Sequence, residues 1–391
     1  MSRSGPSGPL RFVQRRFVGK ANNSCLLSPQ SVFRTGAIRN RPKGRFPLVC
    51  QTANHSHLTL KPRKHSMIAF IVRRVTQALI VMFVISFIGF AIKHSLGDPV
   101  REMVGVSVSV QEREALREQL GLNDPYLVQW GRFVKNAAQG DLGQSFFYRK
   151  PAMEVILDKA PATLELVFCS TLLILLISTP VGVYAAYRPN SPLSRFFMGF
   201  SVVGVSIPVF LTAILLIYIF AVELHWLPSY GRGETVTLFG FWSTGLLTLD
   251  GLKHLILPSI ALSSIMLPLF IRLIRAEMKE VLETEYVKFA RAKGLRERRV
   301  LMVHAFKNTL LPVITVGGVQ IGLMIAYTIL TETVFQWQGM GFMFIEAVER
   351  SDTALLVAYM VFVGALFVVV NTVVDIIYGL VNPMVRVAGR K

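Results

Sequence analysis

The densest run of chemically able side chains in this 391-residue sequence is Glu285-Tyr-Val-Lys-Phe-Ala-Arg-Ala-Lys-Gly294. It lies in a charged interval between two long apolar runs. From Arg272 to Lys307 there are ten Lys/Arg and five Asp/Glu. Thr284 can cap a helix running from Glu285 to about Lys293. Gly294 can then adopt the left-handed conformation that ends it. A second helix is expected from about Arg296 towards Phe306. Asn308 and Pro312 fall where that helix would have to bend into the next apolar run. Ala290 and Ala292 permit close approach, while Tyr286, Phe289, Lys293 and Arg296 supply anchors and charge. This is the chemistry of a knob that fits a partner's groove. The same residues also suit a basic juxtamembrane loop held by lipid headgroups.

Other chemistries lack their residues. There is no G-x-x-x-x-G-K-[ST] phosphate loop, no H-E-x-x-H and no G-x-S-x-G. Gly339-Met-Gly341 lacks the third glycine and the preceding strand of a dinucleotide fingerprint. Cys25, Cys50 and Cys169 form neither a disulfide framework nor a zinc spacing. His55, His57 and His65 sit in a polar tail, and His225 and His254 flank a loop without a ligand pattern. No catalytic, cofactor-binding or metal residues are assigned. The chain reads as a transporter that takes its energy from a partner.

The elements around the charged segment explain why. The chain is 52% hydrophobic, with a mean hydropathy of +0.50. A bilayer core of ~30 Å needs roughly 20 apolar residues per helix. Six stretches meet or approach this: Val75–Ile92, Leu166–Tyr187, Phe196–Val222, His254–Ile271, Asn308–Thr331 and Thr353–Val374. None contains Asp, Glu, Lys or Arg. The first and fourth, at 18 residues each, can be extended by snorkelling arginines, Arg73 and Arg74 or Arg272 and Arg275. Continuous runs exclude a β-barrel, which would alternate in short segments. The expected fold is an all-α membrane protein with about six transmembrane helices.

Basic residues orient it. With both termini cytoplasmic, Arg188–Arg195, Arg272–Lys307 and the tail with Arg386, Arg390 and Lys391 are inside. Lys93–Glu165, Glu223–Lys253 and Glu332–Asp352 are then outside. Asp375, near the inner end of the sixth run, is expected to balance charge against Arg386 rather than line a path.

Residues 1–66 hold thirteen Lys/Arg and no acid. They are Ser-, Asn-, Pro- and Gly-rich and read as a disordered extension. The segment has the Arg-rich, acid-free character of an organelle transit peptide and lacks the apolar core of a secretory signal. A start of translation at Met67 is the plainer expectation, which an intact mass would test. No nucleic-acid partner is expected. The expected organisation is a first transmembrane helix at 67–95, a periplasmic segment at 96–160, and a core of five helices at 161–385. The core includes the loop 276–310, and a tail follows at 386–391. Within the outer segment, Ser109-Val-Gln-Glu112 fits a capping box, and Gly121 can end the helix it starts. Trp130, Phe133 and Val134 suggest a second short helix. The segment suits either a solvated cap or a surface for a substrate-delivery partner.

The sequence resembles the inner-membrane permease subunits of bacterial binding-protein-dependent ABC importers, in the dipeptide/oligopeptide and nickel group. The loop from Glu285 to Gly294, through Leu311-Pro312, resembles that family's coupling loop. Lys288-Phe289-Ala290 stands where its Glu-Ala-Ala triplet falls, so Ala290 and Gly294 keep the general pattern. Further matches are Gly140-Asp-Leu-Gly-Gln-Ser145, Pro161-Ala-Thr-Leu-Glu-Leu166, Ser206-Ile-Pro-Val-Phe210 and Trp226-Leu-Pro-Ser-Tyr-Gly-Arg-Gly233. Glu332-Thr-Val-Phe335, Gly339-Met-Gly341, Asn371 to Asp375 and Asn382-Pro383 complete the set. The resemblance implies a pore of two related permease chains and two cytoplasmic ATPase subunits that bind ATP and Mg. It also implies an extracytoplasmic substrate-binding protein, a bacterial inner-membrane location and no ATPase site in this chain. Glu285, Tyr286, Ala290, Ala292, Lys293, Gly294 and Pro312 would couple to the ATPase. Peptide is the first substrate expected, with nickel, glutathione or another small solute as alternatives. A secondary carrier or an intramembrane enzyme would need charged or nucleophilic groups in the spans, and those groups are missing there.

Overall fold

The computed structural model describes residues 67–93, 100, 109–119, 121–238, 240 and 242–381. All lie in one compact unit, 61–391. The expectations for residues 1–66, for Arg386, Arg390 and Lys391, and for Asn382-Pro383 fall outside the described residues.

Helix α1 spans Met67–Lys93. Two short helices follow, α2 (Val110–Gln119) and α3 (Tyr126–Ala137). The capping box forms as its sequence requires. The Ser109 amide donates to Glu112 Oε2 at 3.2 Å, and the Glu112 amide donates to Ser109 Oγ at 3.3 Å. The amphipathic face of α3 lies on α1. Trp130 Nε1 donates to Ser86 Oγ at 3.2 Å, and the Trp130 ring meets Phe83 and Phe87 edge-on. This part of the outer segment is therefore packed on a span rather than solvated all round.

Helix α4 runs from Ala152 to Tyr187. It begins well before Leu166, where the uncharged run starts, because Glu165 is buried within it. The third apolar run, Phe196–Val222, is not one straight span. It divides into α5 (Pro192–Ser206) and α6 (Val209–Leu216), bent by 110°. The cause is Pro208, which lacks an amide proton and pushes Ile207 into extended backbone at φ −91°, ψ 121°. Helix α6 then widens into π-helical geometry over Ile217–Glu223.

The loop that follows carries a small hairpin, β1 (Val236–Leu238) paired antiparallel with β2 (Trp242–Thr244). It is an exception to the all-α expectation. Helix α7 (Leu249–Leu282) starts at Thr248, whose hydroxyl accepts from the Gly251 amide at 3.0 Å. Helices α8 (Glu285–Ala292) and α9 (Glu297–Arg299) follow. A π-helical stretch, Val300–Ala305, joins α9 to α10 (Phe306–Val334). Helices α11 (Met340–Glu349) and α12 (Thr353–Val381) complete the described chain.

Among the described residues, five helices are long and apolar enough to cross a membrane, or six if the bent α5–α6 pair is one span. Helices α4 and α7 make the most extensive pair. Leu166, Ile174, Leu257, Leu262, Ile274 and Met278 fill the core of this helical region. The approach is close at Gly182, where a Cβ would lie 2.8 Å from Ile274 Cβ. Helix α1 is peripheral and packs on α12. Asp375 forms an ion pair with Arg74 of α1. The pairing expected with Arg386 lies outside the described residues, and within them Asp375 is answered by Arg74. An intramembrane charge needs such a partner.

Candidate functional site: an exposed short helix and a buried polar knot

Thr284 occupies the position before α8, but its hydroxyl donates to Val281 O at 2.6 Å instead of capping the new helix. The C-terminal stop forms as expected. Gly294 has φ +73°, and the Leu295 amide reaches back to Ala290 O at 3.4 Å. The helix has two faces. Val287 and Ala290 are buried against a cluster that includes Val300, Ala305 and Met278. Phe289 is 60% exposed and Tyr286 43% exposed. Lys293 Nζ lies 4.5 Å from the Phe289 ring centre, and Lys288 pairs with Glu285 at 2.9 Å.

The structure thus divides the seven candidate coupling residues. Glu285, Tyr286, Ala292, Lys293 and Gly294 are exposed. Ala290 faces the protein's own core, so its small size serves internal packing. Pro312 is half-buried inside α10. The expected short helix and bend near Asn308 and Pro312 are replaced by one continuous helical rod, Glu297–Val334. A π-helical stretch, Val300–Ala305, lies within that rod, and Pro312 stands inside the α-helical part that follows it. Asn308 Nδ2 donates to Tyr286 Oη at 2.6 Å and ties α8 to that rod.

At the other end of α10 the side chains are polar and buried. Glu332 is fully buried. Its carboxylate accepts from Thr163 Oγ1 at 2.6 Å and from the Phe342 amide at 2.9 Å. Thr163 Oγ1 accepts in turn from the Met340 amide at 2.8 Å. Trp337 Nε1 donates to Ala162 O at 3.0 Å. Nearby, Glu165 pairs with Arg232 at 2.8 Å, and Arg232 also donates to Ser243 Oγ at 2.9 Å and Ser243 O at 2.5 Å. Glu165 Oε1 and Arg232 Nε have no hydrogen-bond partner among the described residues. These bonds join α4, the hairpin loop, the end of α10 and the start of α11.

The glycines of Gly339-Met-Gly341 serve this closeness. A Cβ at Gly339 would meet the Glu332 carboxylate at 2.5 Å, and one at Gly341 would meet Ile329 Cα at 2.8 Å. A second clasp holds the loop before α4. Ser145 Oγ and the Phe147 amide donate to Asp352, at 2.5 and 3.3 Å, and Tyr148 Oη donates to Glu346 at 2.7 Å. Burial first, and then the Glu346 carboxylate, push the Tyr148 phenol above the ordinary tyrosine range. Sequence reasoning did not join these residues. The available signal was acids beside apolar runs, at Glu165 and Glu332, with one basic residue in an outer loop to answer them. Cys169 is a half-buried free thiol on α4. Among the described residues, no group of three or more His, Cys, Asp or Glu could hold a metal.

The model for the binding-protein-dependent transport system inner membrane component matches residues 178–387. The model for the N-terminal part of the same membrane component matches residues 67–167. The chain belongs to this family. Its relatives include the dipeptide transport system permease protein DppB of Alkalihalophilus pseudofirmus, 36% identical over 332 residues. That alignment covers 82% of this chain and 100% of that protein. The di/tripeptide transport system permease protein DppB of Pseudomonas aeruginosa is 38% identical over 333 residues, covering 82% and 99%. The glutathione transport system permease protein GsiC of Escherichia coli is 33% identical over 321 residues, with the same two coverages. As a binding-protein-dependent permease, the chain is a multi-pass inner-membrane subunit of an ABC importer. Such a subunit works with ATPase and substrate-binding partners and is not itself a catalytic enzyme.

Proposed function

We propose that this permease conducts di- and oligopeptides across the inner membrane, with its energy delivered through α8. The observation that carries the coupling is the two-faced inner helix. Val287 and Ala290 anchor it to the core while Phe289, Tyr286, Ala292 and Lys293 face outward. An exposed aromatic beside a small residue and a cation is an anchor for a groove on another protein. Peptide as cargo is supported by the relatives that carry dipeptide and di/tripeptide names at 36% and 38% identity.

In this reading two related permease chains form the path. Two cytoplasmic ATPase subunits, which bind ATP and Mg, receive α8 of each chain, and an extracytoplasmic binding protein delivers peptide to the outer face. The termini and the loop 276–310 are cytoplasmic, and residues 96–160 are periplasmic. ATP binding draws the α8 helices together and turns the cavity outward, and hydrolysis resets it.

The test is competitive uptake by a deletion strain and its parent from one mixture of peptides, nickel and glutathione, read by mass spectrometry. Selective loss of peptide uptake is expected. Loss of nickel or glutathione uptake alone would overturn the cargo.

A further inference from the structure

We propose that α10, with its N-terminal extension, is the rod that carries movement of α8 to the outer polar knot. Asn308 would be its inner positioning residue and the Thr163–Glu332 pair its outer one. The proposal rests on the reading of the chain as an ATP-driven importer and names the parts that transmit the drive.

Length and continuity come first. Glu297–Val334 is one uninterrupted helical run of 38 residues, with π-helical geometry over Val300–Ala305. At about 1.5 Å per residue it is roughly 57 Å long, more than the ~40–45 Å of a bilayer with its headgroups. One body therefore reaches from the inner coupling helix to the outer face. A helix is stiff along its axis because each turn is hydrogen-bonded to the next. A push on one end arrives at the other.

The bonds are distributed as a rod requires. At the inner end Asn308 holds Tyr286 at 2.6 Å. Val300 and Ala305, just before α10, pack in one cluster with Val287 and Ala290 of α8. At the outer end Glu332 binds Thr163 and the Phe342 amide, and the Gly231 amide donates to Phe335 O at 2.9 Å. Between these ends the contacts are different in kind. Gly318 faces Val374 and Gly322 faces Phe367, both close and apolar. Thr309, beside Asn308, makes a weak bond to Met278 Sδ at 3.5 Å. Among the described residues, the one side-chain hydrogen bond from the middle of α10 to another helix is a weak one to sulfur, Thr171 to Met324 at 3.8 Å. Apolar contacts are non-directional and permit small sliding of packed helices. The directional bonds sit where motion enters and leaves.

Thr163 makes the outer attachment selective. Its one hydroxyl donates to Glu332 on the rod and accepts from the Met340 amide at the start of α11. Valine matches threonine in shape and can do neither. Serine can do both.

The experiment uses the assembled importer, with its ATPase, second permease and binding protein, in proteoliposomes. Peptide uptake and ATP hydrolysis are measured in the same vesicles. Asn308→Leu and Thr163→Val are each expected to raise ATP consumed per peptide imported about fivefold or more, with hydrolysis continuing. Thr163→Ser should keep the parent ratio. The double variant Asn308→Leu/Thr163→Val should be no worse than the poorer single variant, since both cut one transmission line. An unchanged ratio in Asn308→Leu would overturn the proposal, as would a double variant equal to the product of the singles. Asn308 is exposed, so its variant decides even if Thr163→Val fails to accumulate. If the parent importer itself moves no peptide with ATP, the functional reading fails rather than the rod.

Discussion

Replacing Arg232 with methionine isolates what the outer knot is worth. The side chains of Arg232 and Glu165 are 12% and 3% exposed, with 2.8 Å between them. Burying two charges is costly, and the pair is tolerated because each neutralises the other. Removing one partner leaves an uncompensated buried carboxylate, which costs about 3–5 kcal/mol. The Arg232→Met variant also loses the two bonds to Ser243 that pin the hairpin. The loss is local first, because Gly231, Ser243 and Gly245 are held to the core through this cluster. Hydrogen exchange of the amides in 229–245 should therefore quicken, by roughly a hundredfold to a few thousandfold, for an opening made easier by about 3–5 kcal/mol. The variant Glu165→Gln/Arg232→Met carries no buried charge and should recover more than half of that protection. The assay is exchange mass spectrometry on the detergent-solubilised protein. Exchange in 229–245 within about twofold of the parent, roughly 0.4 kcal/mol, would refute the reasoning. So would a double variant no better protected than Arg232→Met alone.

Other perturbations follow from single contacts. Gly318→Leu puts a side chain into Val374 and should cost about 1–3 kcal/mol, with Val374→Ala in the same chain restoring part of it in unfolding titrations. Asp375→Arg should lower the amount of protein in the membrane, and Arg74→Asp combined with it should restore the amount by re-forming the pair in reverse. Gly294→Val meets open space but a φ of +73°, so it should cost about 1–2 kcal/mol, leave insertion intact and weaken co-purification of the ATPase. Ala290→Asp, which buries a carboxylate against the core, should be worse in both respects. Tyr148 should resist ionisation in ultraviolet titration. Its folded pKa is raised, so its contribution is complete below the ordinary tyrosine value of about 10 and is lost as pH rises above it.

Local signals were legible wherever a residue type admits few backbone states. The Ser109–Glu112 box and the stop at Gly294 stand where local rules put them. Apolar runs located the spans but misjudged their ends. Charge was taken as a boundary at Glu165, although a buried partner let the helix continue through it. Pro208 reads from sequence as an interruption of its helix, but the size of the bend, 110°, depends on packing that no composition window registers. Pro312 was expected to bend the chain and does not break α10. The difference is local: Ile207, before Pro208, is in extended backbone, whereas Leu311, before Pro312, stays helical. The outer knot was hidden for another reason. Thr163, Arg232 and Glu332 are far apart in sequence, and only the packing of α4, the hairpin loop and α10 brings them together. Ala290 shows the converse. Its small size was legible, but whether it faces a partner or the core depends on the direction of α8 on its base.

The central claim is that a separate ATPase drives peptide import through this permease. It is tested most directly by uptake of a labelled dipeptide into reconstituted vesicles holding the complete importer with its ATPase face inside, the binding protein outside, and the lumen loaded with or without ATP. The account predicts transport that requires both ATP and the binding protein and that is abolished in the Gly294→Val variant. Uptake driven by an ion gradient without ATP, or ATP-dependent uptake untouched by Gly294→Val, would contradict it.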